Sequence, residues 1–186
     1  WLVLFLFLYV GAEVGFAGWI FSYTVITGLG TTAGAAYLTS LFWGSLTLGR
    51  AVAIPITARV EPDAVLVCSL VGAIVTLMLM LVFEHSLFGV SLGTAALGFS
   101  MASIFPATLS FATRRLNVTG RLTSWFVVGS SLGATSIPLA MGQTLNSIGP
   151  RSVILLPALA LLLGGVVLAI LKSGSRECNP ELVRGI

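Results

Sequence analysis

One carboxylate stands where carboxylates are costly. Glu13 lies near the middle of the apolar run Leu2–Thr24, about twelve residues from either end of the helix that run predicts. A charged carboxylate at the centre of a bilayer costs ~2.5–3.5 kcal/mol on insertion scales. The position is tolerable beside a wet cavity, beside a partner, or with the carboxyl protonated. Read along the sequence, no basic residue falls at the same depth. The expectation is therefore a group that takes up a proton, binds a cation, or accepts hydrogen bonds from a hydroxylated solute; the blander alternative is an acid bonded to a neighbouring helix. Tyr9 precedes Glu13 by one helical turn and shares its face. Trp19 and Tyr23 form a second i, i+4 pair, and Tyr37, Ser40 and Trp43 follow in the outer half of the next apolar stretch. Such aromatic rings stack on the C–H faces of sugars, and their O–H and N–H groups add polar contacts. Tyr23, Trp125 and Trp1 suit an interfacial belt instead. Ser100, Ser103, Ser131 and Gln143 are polar groups at or above mid-depth, suited either to ligand contact or to hydrogen bonds between helices.

Other chemistries find little support. The two cysteines, Cys68 and Cys178, make no disulfide framework, and His85 is the only histidine, so no metal site is expected. Gly98-Phe-Ser100 hints at a nucleophile, but a serine needs a base within hydrogen-bond reach, and His85 lies in a connection; an enzyme is not expected. A water channel of six helices needs two Asn-Pro half-helix loops, whereas Asn179-Pro180 is the only such pair. Arg50 and Arg59, with Glu61 and Asp63 nearby, are read either as topology determinants with solvated ion pairs or as an intracellular latch that pairs in one conformation and breaks in the other.

These residues need elements to hold them. Of 186 residues, 57% are apolar and 8% charged, with a mean hydropathy of +1.08. Soluble domains are about a quarter charged, so this composition suits lipid. Spanning takes roughly 20 apolar residues, and six stretches qualify: 2–24, 34–56, 64–83, 87–112, 123–145 and 152–171. They predict an all-α, six-helix transmembrane bundle over 1–172 and a polar tail over 173–186. The runs are continuous, which excludes barrel strands. Arg59, Arg114, Arg115, Arg121, Lys172, Arg176 and Arg184 gather at the second and fourth connections and the tail, and Arg50, near the end of the second stretch, joins that side, while the odd connections hold only Arg151. The bias places both ends of the chain in the cytoplasm, where the sequon Asn117-Val-Thr119 stays unmodified. The third and sixth stretches are almost purely apolar, as lipid-facing helices are. The others carry the polar residues, so the pattern repeats after three helices, and an odd repeat length inverts the second triplet. Stripes of small residues, such as Gly89, Gly93, Ala96, Ser100, Ser103 and Ala107, allow close helix approach. Pro106 and Pro138 each free a backbone carbonyl within a helix.

Several segments resemble the major facilitator superfamily. Leu8–Tyr23 (LYVGAEVGFAGWIFSY) is similar to the seventh helix of the fucose-permease-like branch, nearest to its sodium-dependent glucose transporter group. Phe42–Arg50 (FWGSLTLGR) resembles the eighth helix and its loop motif, and Gly98–Pro106 (GFSMASIFP) the tenth. That superfamily is itself a standing example of inverted triplets, so the repeat and the resemblance are not independent. The resemblance implies the C-terminal half of a twelve-helix transporter of hexoses or related polyols, coupled to sodium or protons, working by alternating access, with no other cofactor. It further implies lipid, a small solute and an N-terminal six-helix half as partners, no nucleic acid, and a plasma-membrane location. The chain opens inside a helix without Met, which suggests a fragment; a short form without independent transport, one completed by self-dimerisation, or a transporter of a non-sugar solute is the alternative.

Overall fold

The computed structural model describes residues 1–57, 59–115 and 119–177. Its helices are α1 (Leu2–Ile26), α2 (Thr32–Thr57), α3 (Pro62–Val82), α4 (Leu87–Met101), α5 (Ile104–Arg115), α6 (Gly120–Ile148) and α7 (Ser152–Glu177). Five spans are long and apolar enough to cross a membrane: α1, α3, the combined α4–α5 over Leu87–Arg114, α6 and α7. The remaining helix, α2, has the length but not the apolarity, because Thr39, Ser40, Ser45, Thr47 and Arg50 interrupt its apolar run. The molecule is an all-α, multi-pass membrane bundle.

Helix packing follows the two triplets. In the first triplet, α1 packs on α6 and α7; its counterpart in the second, α4–α5, packs on α2 and α3. The third members, α3 and α7, pack on each other. Exchanging the triplets maps each of these contacts onto another, as an inverted repeat requires. The main core joins Phe5, Tyr9, Phe16 and Ile20 of α1 to Leu38 and Phe42 of α2, Leu66 and Leu77 of α3, and Leu97 of α4. Glycines allow close approaches between helices. A Cβ on Gly133 of α6 would lie 2.0 Å from the Phe7 carbonyl oxygen of α1, and one on Gly49 of α2 would lie 2.6 Å from the Ala102 methyl group.

The fourth stretch is not one helix. Ala102 and Ser103 interrupt it, and Pro106 falls in the first turn of α5. An N–H is dispensable in a first turn, so the break accommodates the proline that an unbroken helix would have to bend around. By contrast α6 runs unbroken through Pro138. The sixth stretch, expected to end at 171, extends helically to Glu177 and takes in the start of the supposed tail. Asn117, Cys178 and Arg184 lie outside the described residues.

The two faces of the bundle differ. Glu84 of the α3–α4 connection, Arg151 of the α6–α7 connection and Tyr23 near the end of α1 meet at one face. At the other, Lys172 of α7 comes within 3.9 Å of Asp63 at the start of α3, and Arg59, Arg114 and Arg121 are exposed.

Candidate functional site

Glu13 is buried, at 6% exposure, where α1, α2 and the α4–α5 break meet. Its neighbours follow from helix geometry. Tyr9, four residues earlier, presents its hydroxyl to Glu13 Oε2 as the i, i+4 spacing dictates. The same hydroxyl lies 3.0 Å from the carbonyl oxygen of Met101, the last residue of α4. From α2, Arg50 Nη2 comes within 3.6 Å of Glu13 Oε1. This corrects the sequence-based expectation that no basic residue shares the depth of Glu13. Arg50 lies near the end of its helix, seven residues before Thr57, as the stretch 34–56 predicts, yet its side chain reaches the buried carboxylate. It reaches Glu13 because its neighbour Gly49 has no side chain to hold α2 off Ala102 and the Phe99 backbone. The carboxylate has a cation on one side and a hydroxyl on the other, which offsets part of its cost of burial. The Arg50 side chain is half exposed, at 52%, so the pair stands at the edge of the bundle.

An open groove of about 580 Å³ runs between α1 and α2, lined by residues that include Val14, Gly18, Phe21, Thr39, Ser40 and Trp43 but not Glu13 itself. Of the expected binding residues, Ser40 and Trp43 line this groove. The Ser40 hydroxyl donates to the Ala36 carbonyl, and the Trp43 ring meets Phe42 edge-on. Tyr37 is largely exposed on α2 and Gln143 is exposed on α6. Trp19 turns to α6, where its indole N–H donates to the Pro138 carbonyl at 3.0 Å and its ring covers Gly142. Ser100 faces α3 across Gly72, away from the groove, and Ser103 sits in the helix break. The structure thus brings Tyr9, Glu13 and Arg50 together, sets Ser40 and Trp43 nearby, and does not gather Trp19, Ser100 and Gln143 with them. Arg59 is exposed in the α2–α3 connection.

At the opposite face from Arg59, Arg151 Nε donates to both Glu84 oxygens, at 2.9 and 3.0 Å, and its Nη2 bonds Oε1 as well. The Tyr23 hydroxyl donates to the Glu84 carbonyl at 3.3 Å, and His85 Nε2 lies 3.4 Å from the carboxylate. The Arg151 hydrogen bonds hold the Glu84 carboxyl below its ordinary pKa, and the carboxylate raises that of Arg151 in return. Tyr23 is buried in the core rather than set in an interfacial belt, whereas Trp1 and Trp125 are exposed.

Sequence comparison identifies relatives of the same build. Sodium-dependent glucose transporter 1 of Xenopus laevis is 35% identical over 161 residues, which is 86% of this chain and 33% of that protein. Sodium-dependent glucose transporter 1A of Mus musculus is 35% identical over 142 residues, 76% of this chain and 33% of that protein. Major facilitator superfamily domain-containing protein 4A of Homo sapiens is 33% identical over 150 residues, 80% of this chain and 29% of that protein. The chain belongs to the major facilitator superfamily. It spans about a third of the length of these relatives. No family model and no solved structure matches it.

Within a superfamily chain of this kind, two features escaped sequence reasoning. The Glu13–Arg50 contact was hidden because its two members lie on different helices, and the sequence does not say how closely those helices approach. The signal available was Gly49 itself, since a glycine beside an intramembrane arginine marks a place where backbones close in. The Glu84–Arg151 pair was hidden because its members are 67 residues apart and only the inverted packing of the triplets joins their connections. Their opposite charges on odd connections, both predicted on one side, were a legible hint.

Proposed function

We propose that this chain is the C-terminal six-helix half of a twelve-helix secondary transporter that carries a neutral hydroxylated solute, a hexose or related sugar, by alternating access. Transport is coupled to sodium or protons at Glu13. Arg50 holds the carboxylate charged until a coupling cation replaces it, and the α1–α2 groove with Ser40 and Trp43 forms this half's side of the solute pathway. The observation that carries the reading is the buried Glu13 carboxylate set between Tyr9 and the half-exposed Arg50, on the same two helices, α1 and α2, that wall an open groove lined by a serine and a tryptophan. Intramembrane ionisable groups of this kind serve ion or substrate pathways as a rule. The relatives named as sodium-dependent glucose transporters support both the solute class and the coupling ion. The positive-inside bias supports cytoplasmic ends for the segment and an orientation suited to the plasma membrane. The absent partner is an N-terminal six-helix half, which would face the polar sides of α2 and α6.

The test is uptake of labelled glucose and fucose by the complete protein in proteoliposomes, with and without an inward sodium or proton gradient. One gradient should accelerate uptake, and Glu13→Gln should remove the acceleration. Uptake indifferent to both gradients, or a Glu13→Gln protein with an unaltered gradient response, would refute the coupling role.

A further inference from the structure

The Tyr9 hydroxyl has two acceptors and one hydrogen. Its oxygen is within hydrogen-bond reach of Glu13 Oε2 and lies 3.0 Å from the Met101 carbonyl oxygen. A phenol donates once, so it serves one acceptor at a time. While Glu13 is ionised it is acceptor-only, and the charge-assisted bond to it is roughly twice as strong as one to a neutral carbonyl. The hydrogen then points to Glu13. When the carboxylate takes a proton from the aqueous side, the new O–H donates to the phenol oxygen. When a sodium ion occupies the carboxylate instead, it draws the same oxygen's lone pair. In both cases the phenol hydrogen turns to Met101. Apart from the carboxyl O–H, no covalent bond forms or breaks; Arg50 keeps its charge and loses its pairing.

Met101 is not an ordinary helical carbonyl. It ends α4, and a helix's last carbonyls lack intrahelical donors. The next carbonyl, Ala102, has no helical donor at all, because the residue four positions on is Pro106, which has no N–H. One added hydrogen bond therefore falls where the backbone ladder of the second triplet is already open. We propose that Tyr9 is a positioning residue that transmits the cation occupancy of Glu13, in the first inverted triplet, to the α4–α5 break in the second. The inference rests on the reading of Glu13 as the coupling group. The other ionisable groups facing Glu13 are Tyr9 on its own helix and Arg50 from α2. The charged residues of the other helices packed against α1 lie at helix ends: Arg114 and Arg115 of α5, Arg121 of α6, and Lys172, Arg176 and Glu177 of α7.

The experiment places a single cysteine at the break, Ser103→Cys, in the complete protein with its native cysteines, Cys68 and Cys178 among them, replaced by alanine. The rate of modification by a membrane-permeant maleimide is followed in proteoliposomes. One series varies pH without sodium, and another varies sodium at fixed alkaline pH, with rates corrected for thiol ionisation; whichever series moves the rate identifies the cation. In the otherwise unaltered protein the rate should change roughly two- to tenfold on cation binding, the population shift that one hydrogen bond supports. Glu13→Gln should fix the rate at the cation-loaded level, because its amide N–H donates to Tyr9 as a protonated carboxyl would. Tyr9→Phe, isosteric but for the hydroxyl, should leave the rate indifferent to cation. Pro106→Ala, which restores a donor for Ala102 while leaving Tyr9 and Glu13 intact, should do the same and guards against a Tyr9 variant that fails to fold. A Tyr9→Phe protein that keeps the cation response while Glu13→Gln loses it would overturn the relay and leave the Glu13 reading standing. Loss of neither response, in labelling or in gradient-driven uptake, would overturn both.

Discussion

Adding one methyl group at Gly49 should weaken the protein, and adding one at Gly44 should not. Both residues lie in α2, five positions apart, so helix propensity changes alike at the two sites. Their surroundings do not. A Cβ on Gly44 meets nothing within 4 Å, whereas one on Gly49 falls 2.6 Å from the Ala102 methyl group, 3.0 Å from the Phe99 carbonyl oxygen and 3.2 Å from Phe99 Cα. Backbone atoms and a methyl group have no rotamer by which to move away. α2 must retreat from the α4–α5 break by about 0.8 Å to bring 2.6 Å to the 3.4 Å at which ordinary contact begins. Overpacking of this kind costs ~1–3 kcal/mol, a factor of about 5–150 in the folded population. The same retreat draws Arg50 away from Glu13, so Gly49→Ala should also blunt the gradient dependence of uptake. Thermal unfolding of the detergent-solubilised complete protein, with Gly44→Ala as the control on the same helix, measures the first effect. Equal midpoints for the two variants would show that α2 and the break do not approach as described, and the placement of Arg50 beside Glu13 would lose its basis.

Two further outcomes follow from the same structure. The Glu84 carboxyl has its pKa lowered from 4.5 by the Arg151 hydrogen bonds, so the pair's stabilisation is complete above pH 4.5 and is lost as pH falls through the lowered value. Glu84→Gln should therefore unfold more easily than the natural protein at neutral pH, with the gap closing in acid; a gap independent of pH would mean that the charge contributes nothing. Trp19→Phe removes the indole N–H bond to Pro138 and should cost about 1 kcal/mol of stability while changing solute affinity by no more than about twofold. A much larger affinity loss in equilibrium binding would show that the indole reaches solute.

The sequence reveals the bundle more fully than the site, for a physical reason. Lipid demands that each span satisfy its own backbone, so a span is written in consecutive residues and can be read as such. The Tyr9–Glu13 contact was legible on the same ground, because one helical turn fixes it. Arg50 was not, because its partner lies on another helix and its depth depends on where α2 stops. The helix break at Ala102–Ser103 was half legible: Pro106 announces a lost N–H, but whether a helix runs on, as α6 does through Pro138, or opens, as the fourth span does, is not written in the proline itself. Ser100 shows the limit of pattern reasoning. The small-residue stripe to which it belongs packs on α3, with Gly93 against Met80 and Ser100 against Gly72, while Gly98, off the stripe, meets α2, and the spacing alone does not say which neighbour a stripe takes.

The placement of the buried acid joins these strands. An inverted repeat makes α1 and α4–α5 counterparts, so each contributes the same kind of span to opposite sides of the bundle, and α2 crosses to the second triplet to pack on α4. Glu13 sits where that crossing brings all three together. Its ligands are drawn from both triplets: Tyr9 and Arg50 from the first, and through Tyr9 the Met101 carbonyl of the second. Under the proposed relay, a change in charge at Glu13 acts on the seam between the triplets rather than within one of them. Alternating access requires such a seam to have two arrangements. A carboxylate buried inside a single triplet could bind a cation as tightly, but it would have no differential contact with the two arrangements and so could not couple binding to movement.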